Sequence, residues 1–459
     1  MDRTAVCVGA FVVLTGLAVV RHTSADEPPR NQLTFVDDSG VERTVTTAES
    51  FDVDNPFFED LGTNGRTCFS CHRPDQGWTV TPPRIEERFA LTRGLDPIFR
   101  NNDGSNCENA DISTLAKRRD AFSLLLSKGL IRVGLDVPAG SEFTIDDVDD
   151  PYACGAPLSQ ASMYRRPLPS TNLGFLSTVM WDGRETVKGQ AISADLATQA
   201  NDATTGHAQG APLSTTQALE IVKFEVGLFT AQIYDRHAGS LRADGAKGGP
   251  GALSTQPFCI GVNDPLNILP VVPGACASSS GGLNPEVFTI FSAWEQESGD
   301  RRAIARGETL FNTRAFIVDN VRGLNGGAGD PIATPFSGTC TVCHDTPNAG
   351  NHSISMPLNI GLTDETRRTP DLPLYSLRNN STNELIRTTD PGRAMVTGKW
   401  ADIGKFKGPI LRGLAARAPY FHNGSAATLD EAVDFYDTRF HIGLTPREKA
   451  DLVAFLKAL

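Results

Sequence analysis

The chain has 459 residues, 40% of them hydrophobic and 7% aromatic, which is enough apolar material for two or three globular domains. Its formal charge of −12 argues against nucleic acid as a partner and permits steering of a basic protein partner. The 43 glycines and 29 prolines point to long loops between regular elements.

The chain starts MDRTAVCVGAFVVLTGLAVVRHTSADEPP: a short charged stretch, an apolar run from Ala5 to Val20, and small residues ending at Ala25. That order is the layout of a cleavable secretory signal over residues 1–25. The run is shorter than the about 20 residues that span a bilayer, and no other stretch approaches that length. The mature chain is therefore expected to be exported, periplasmic in a bacterial setting, and without a membrane span. Of nine cysteines, Cys7 leaves with the signal, and Cys107, Cys154, Cys259 and Cys276 stand outside any motif. In an oxidising compartment an even remainder invites pairing. Cys107 with Cys154 and Cys259 with Cys276 are the natural pairs, though three connectivities remain open.

Residues 26–60 read as an irregular lead-in. A helix is expected over 112–130, ISTLAKRRDAFSLLLSKGL, and another over 214–235, STTQALEIVKFEVGLFTAQIYD, where Ser214 and Gln217 fit a capping box. From 239 to 285 the chain turns into Gly, Pro, Ser and Ala, and reads as a linker or insertion between an N-terminal domain over 26–238 and a C-terminal one over 286–459. The C-terminal domain should hold helices over 301–312 and 445–459. Thr445 is a good N-cap with Pro446 at the first helical position, and Gly307 would let the two helices cross closely.

The chemistry lies in two pentapeptides, CFSCH at 68–72 and CTVCH at 340–344. Cysteines three apart share one face of a helical turn, so Cys68 with Cys71, and Cys340 with Cys343, can become thioethers to the two vinyl groups of a haem. The histidine that follows, His72 or His344, can then offer an imidazole nitrogen to iron. A four-thiolate zinc site would leave both histidines unexplained, and a redox disulfide would need a βαβ setting that the sequence does not provide. Two covalent c-type haems are the expectation, with His72 and His344 as iron ligands.

The second axial ligand separates an electron carrier from a site that binds a small oxidant. Downstream of His344, Met395 is the expected ligand and Met356 the alternative. After His72 the nearest methionines are Met163 and Met180, and the first histidine is His207. The first iron is accordingly expected to be open or loosely held. His207 reads as a distal ligand, a proton-handling residue or an ordinary loop histidine.

With these motifs in place, the chain resembles the bacterial di-haem cytochrome c peroxidases and the related methylamine-utilisation di-haem enzyme. GKFKGPILRGLAARAPYFHNGSAATLDEAVDFY (404–436) looks like that family's C-terminal signature, and MWDGRETVKGQ (180–190) like its inter-haem segment. The resemblance implies a mainly α fold of two cytochrome c-like domains, each holding one covalent c-type haem, with long irregular loops. It implies peroxide reduction at the N-terminal haem and electron entry at the C-terminal one. Trp181 matches the relaying tryptophan and Gln190 the distal-pocket glutamine. It also implies a small cytochrome c or cupredoxin as electron donor, a homodimer as a possible assembly, and calcium between the domains, although no local loop specifies a calcium site. One departure is clear: where the family places an acid–base Glu, this chain has Ala200, with Asp195, Asp202 and His207 nearby. That departure keeps open a non-catalytic electron-transfer protein, or an oxidising enzyme with another substrate.

Overall fold

The computed structural model describes residues 30–258, 261–264, 283–327, 329–346 and 356–459. The expected signal and the Cys259–Cys276 bridge lie outside the described residues. Among the described residues no helix is long and apolar enough to cross a membrane.

The fold is mixed α and β, which corrects the mainly α expectation: among the described residues helix makes up 31% and strand 17%, the strands gathered into four small antiparallel sheets. The largest sheet runs in the order Gln32–Val36, Gly40–Thr46, Leu228–Asp235, Gly239–Ser240. Two of these strands fall where an irregular lead-in was expected. Along Gly40–Thr46 every second residue is buried, but the inward side chains are Glu42, Thr44 and Thr46. A strand whose buried face is polar has period 2 without hydrophobic alternation, and so escapes a hydrophobicity reading.

The helix expected over 214–235 stops at Val226. Thr215–Val226 is helical, with the Ser214–Gln217 capping box formed, and Gly227 ends it. Leu228–Asp235 then enters the sheet beside Gly40–Thr46. The 112–130 segment forms two helices, Leu115–Ala121 and Ser123–Lys128, broken at Phe122, whose ring is fully buried near Phe99. Cys107 and Cys154 form a disulfide.

A second sheet places Leu374–Asn379 between Leu385–Thr388 and Phe143–Asp149. It therefore pairs strands from either side of the glycine- and proline-rich 239–285 stretch. Its apolar face packs Phe143, Ile145, Tyr375 and Leu377 around Met395.

In the C-terminal region, Gly299–Thr313 crosses Pro446–Lys457 with Gly307 at the contact, where a Cβ would lie 2.0 Å from the Asp451 carbonyl oxygen. Only glycine allows that approach. Arg306 then reaches the Asp451 carboxylate with two hydrogen bonds of 2.7 Å, and Phe288, Phe311 and Phe455 fill the space beside the crossing.

Candidate functional site

Each pentapeptide forms a single 3₁₀ turn, Cys68–Ser70 and Cys340–Val342, in which the amide of the following histidine donates to the carbonyl of the first cysteine at 3.0 Å. The turn brings two thiols and an imidazole to one wall of a cavity. All four cysteines are free. Burial pushes the Cys68, Cys340 and Cys343 thiols up to about 12 and raises Cys71 as well. Among the described residues no group of three or more His, Cys, Asp or Glu side chains is placed to hold a metal ion.

His72 is fixed by a chain of hydrogen bonds that begins in the large sheet. Thr44 and Thr230 share a hydroxyl–hydroxyl bond of 2.7 Å, and Thr44 Oγ1 accepts the Trp78 indole N–H at 2.9 Å. The Trp78 carbonyl lies 3.1 Å from His72 Nδ1. A carbonyl only accepts, so Nδ1 carries the proton and Nε2 keeps its lone pair. Burial holds the ring down to about 4, so it is neutral at physiological pH. These features fit an imidazole that ligates iron.

The two cavities share a wall. Arg166, Pro167, Leu168, Pro169, Trp181, Lys407 and Ile410 line both. The Trp181 indole N–H donates to the Arg166 carbonyl at 2.8 Å, and the Trp181 carbonyl accepts the Lys407 amide at 2.9 Å. One tryptophan thus faces the cavity of His72 on one side and that of His344 on the other.

No protein-family model matches the chain. It is similar to the cytochrome-c peroxidase IdrP2 of Denitromonas iodatirespirans, at 36% identity over 132 residues, 27% of this chain and 36% of the relative. The cytochrome c551 peroxidase of Nitrosomonas europaea matches at 44% identity over 69 residues, 15% of this chain and 21% of the relative. Over these stretches the chain is similar to cytochrome-c peroxidases. It spans about a third of the length of the first relatives it matches. A crystal structure of a MauG-like protein associated with microbial copper homeostasis covers 95% of both chains at 16% identity, with a TM-score of 0.39.

Two of the expected site residues lie outside the cavities. Met395 is buried in the core against the Leu374–Asn379 sheet and does not line the His344 cavity. Arg165 pairs with Asp390 through bonds of 2.7 and 2.9 Å, and the short Ala394–Thr397 helix that follows packs onto the sheet. Met356 does line that cavity, and so does the half-buried Tyr436, whose ring centroid is 6.4 Å from that of His344. Gln190 is exposed in a turn and lies outside the His72 cavity, whereas Gln199, on the Ile192–Gly206 helix, lines it. Sequence reasoning missed Tyr436 because it scanned for methionine and histidine as soft or nitrogen ligands.

On the His72 side, Ala200 lines the cavity. Asp195 points away and accepts the Val187 amide at 3.1 Å, and Asp202 is exposed. The titratable groups at the cavity besides His72 and the thiols are Glu59, Asp103, His207 and Glu225, together with four cations, Arg66, Arg165, Arg166 and Arg184, and the shared Lys407. His207 Nδ1 bonds the Asp103 carboxylate, which also pairs with Arg66. Burial alone would raise the Asp103 carboxyl, but the bonds and charges of His207 and Arg66 hold it below its usual range.

Glu225 is 6% exposed, its Oε2 has no hydrogen-bond partner, and burial pushes its carboxyl up to about 8. The folded state keeps a proton here that the unfolded chain releases above its ordinary value of about 4.5. Stability contributed by the protonated form is therefore complete at low pH and is lost as pH climbs from about 4.5 to about 8, at up to about 1.4 kcal/mol per pH unit. In denaturant titrations across that window, Glu225→Gln should lose less stability than the native chain. Parallel curves would show that the carboxyl is already ionised in the fold.

Proposed function

We propose that the chain is an exported di-haem c-type cytochrome that reduces hydrogen peroxide in the N-terminal cavity with electrons received at the C-terminal one. The observation that carries this reading is Trp181, which lines two cavities that each hold a Cys-x-x-Cys-His turn. A c-type haem at each turn would supply an iron that passes single electrons and, where a coordination position is open, takes up peroxide. The Cys107–Cys154 disulfide agrees with an oxidising compartment such as the periplasm, and the acidic chain suits a small basic electron donor, a cytochrome c or a cupredoxin.

The chain's own groups have distinct tasks in this scheme. Cys68, Cys71, Cys340 and Cys343 attach the cofactors, and the Trp78 carbonyl fixes which His72 nitrogen faces inward. His207, held at Nδ1 by Asp103, keeps Nε2 to accept and return a proton at the bound oxidant, in place of the missing Glu. Two electrons and two protons convert hydrogen peroxide to two waters, so a proton carrier is required beside the acceptor. In the C-terminal cavity the Tyr436 phenol, which lines it where Met395 does not, would be the side chain to join His344 in holding a haem iron. Burial raises the Tyr436 phenol, so giving up its proton requires a compensating positive charge.

A second reading, oxidation of another substrate, is favoured by two features, Ala200 at the expected acid–base position and a tyrosine in the electron-entry cavity. Peroxide turnover with a reduced small cytochrome c separates the two readings. Two covalent haems per chain and peroxide-dependent oxidation of the donor are expected. Peroxide consumption without donor oxidation would favour the second reading, and spectra unmoved by peroxide in every redox state would sink both.

Two sets of variants test the residue roles. His207→Gln should lower turnover about 100-fold or more with the haem spin states unchanged, since general acid–base groups typically contribute 10²–10⁴-fold. A switch of one haem to high spin would instead make His207 a ligand. Tyr436→Phe should alter the spectrum of one haem, and Met395→Leu should leave both as they are. The reverse pattern would restore Met395 as the ligand.

A further inference from the structure

The resemblance to the peroxidases implies calcium between the two halves of the molecule, and the residues present there do not fit it. The shared wall is already built around a cation. Arg166 is 5% exposed and lines both cavities. Its guanidinium donates to three main-chain carbonyls, Lys128 at 2.7 Å, Val80 at 2.8 Å and Arg417 at 3.0 Å. These come from three separate segments: the stretch just after His72, the end of the Ser123–Lys128 helix, and the C-terminal segment that ends near Tyr436. Three converging carbonyl oxygens are what a hard cation is offered in a protein. Here the planar five-donor guanidinium meets them instead.

Further details show that the place is shaped for this side chain. Gly129, at φ +65°, leaves room for it, since a Cβ there would stand 2.7 Å from the Arg166 terminal nitrogen. The hydrogen bonds of the Arg166 guanidinium to Lys128, Val80 and Arg417 all go to main-chain carbonyls and none of the three to a carboxylate. The main chain of the same residue holds both neighbours of the wall: its amide donates to the His422 carbonyl at 2.7 Å, and its carbonyl accepts the Trp181 indole. Burial, with Arg417 alongside, lowers the guanidinium to about 9, which still leaves it charged at neutral pH.

We propose that Arg166 is the resident cation of this junction, tying the Val80, Lys128 and Arg417 carbonyls together beside Trp181, and that the junction takes no divalent metal. Arg166 is a positioning residue here: it acts through the wall it holds and does not touch the reacting atoms.

The test uses the purified full-length protein, with haem content read first from its pyridine haemochrome spectrum. A haem-free preparation would sink the proposed function but leave this test intact. Metal analysis and thermal unfolding are then run with and without a calcium chelator. The native protein should hold no stoichiometric calcium, and its midpoint should not move on chelation or on adding millimolar calcium. Arg166→Ala should unfold several degrees lower, and millimolar ethylguanidinium or calcium should raise its midpoint again. Should that variant not accumulate, Arg166→Gln carries the same arm. Stoichiometric calcium in the native protein, or a midpoint that falls on chelation, would overturn the proposal. So would an Arg166 variant as stable as the native chain, or one that responds to neither cation.

Discussion

The hydrogen bond from the Trp181 indole to the Arg166 carbonyl is the constraint on which the rest of the site depends. It turns one aromatic ring so that it borders both cavities, and it ties that ring to a residue whose own side chain is locked into three carbonyls. The next residue, Asp182, is completely buried and pairs with Arg165, which also binds Asp390 through two bonds. Two arginines in succession thus anchor the wall, one through carboxylates and one through main-chain oxygens. Removing a partner from such a buried network leaves an uncompensated charge, so the wall has little freedom to move.

The two cavities differ in character as sharply as the two tasks proposed for them. The His72 cavity is polar at one end, where Arg66, Asp103 and His207 form a connected set and Glu225 adds a buried carboxyl. The His344 cavity is walled by aromatic and aliphatic side chains, among them Phe311, Tyr436 and Phe440, with His422 stacked on Phe406 at 4.1 Å between ring centroids. Proton exchange needs the first kind of surroundings. Holding an electron carrier away from water needs the second.

The two Cys-x-x-Cys-His turns were legible in the sequence because a helical turn puts residues i and i+3 together with no help from the rest of the fold. The same holds for the 299–313 and 446–457 helices, whose caps and small-residue contact are local. What needed three dimensions was everything set by long-range packing. Met395 has the right chemistry and a reasonable sequence distance, but it packs in a different core with Phe143, Ile145, Tyr375 and Leu377. The resemblance points to Gln190, whereas the Ile192–Gly206 helix presents Gln199 to the cavity. The β content was hidden because Glu42, Thr44 and Thr46 are the inward residues of their strand, a polar buried face explained only by Trp78, Gly77 and the partner strand.

The central claim is that Trp181 connects two redox centres, and rapid-mixing spectroscopy tests it most directly. Fully reduced protein would be mixed with one equivalent of hydrogen peroxide, and the oxidation of the two haems followed separately by their absorption bands. In the native protein both should be oxidised together, in a single phase. In Trp181→Phe the haem at His72 should be oxidised first, with the haem at His344 lagging well behind. Simultaneous oxidation of both haems in the variant, at the native rate, would contradict the account.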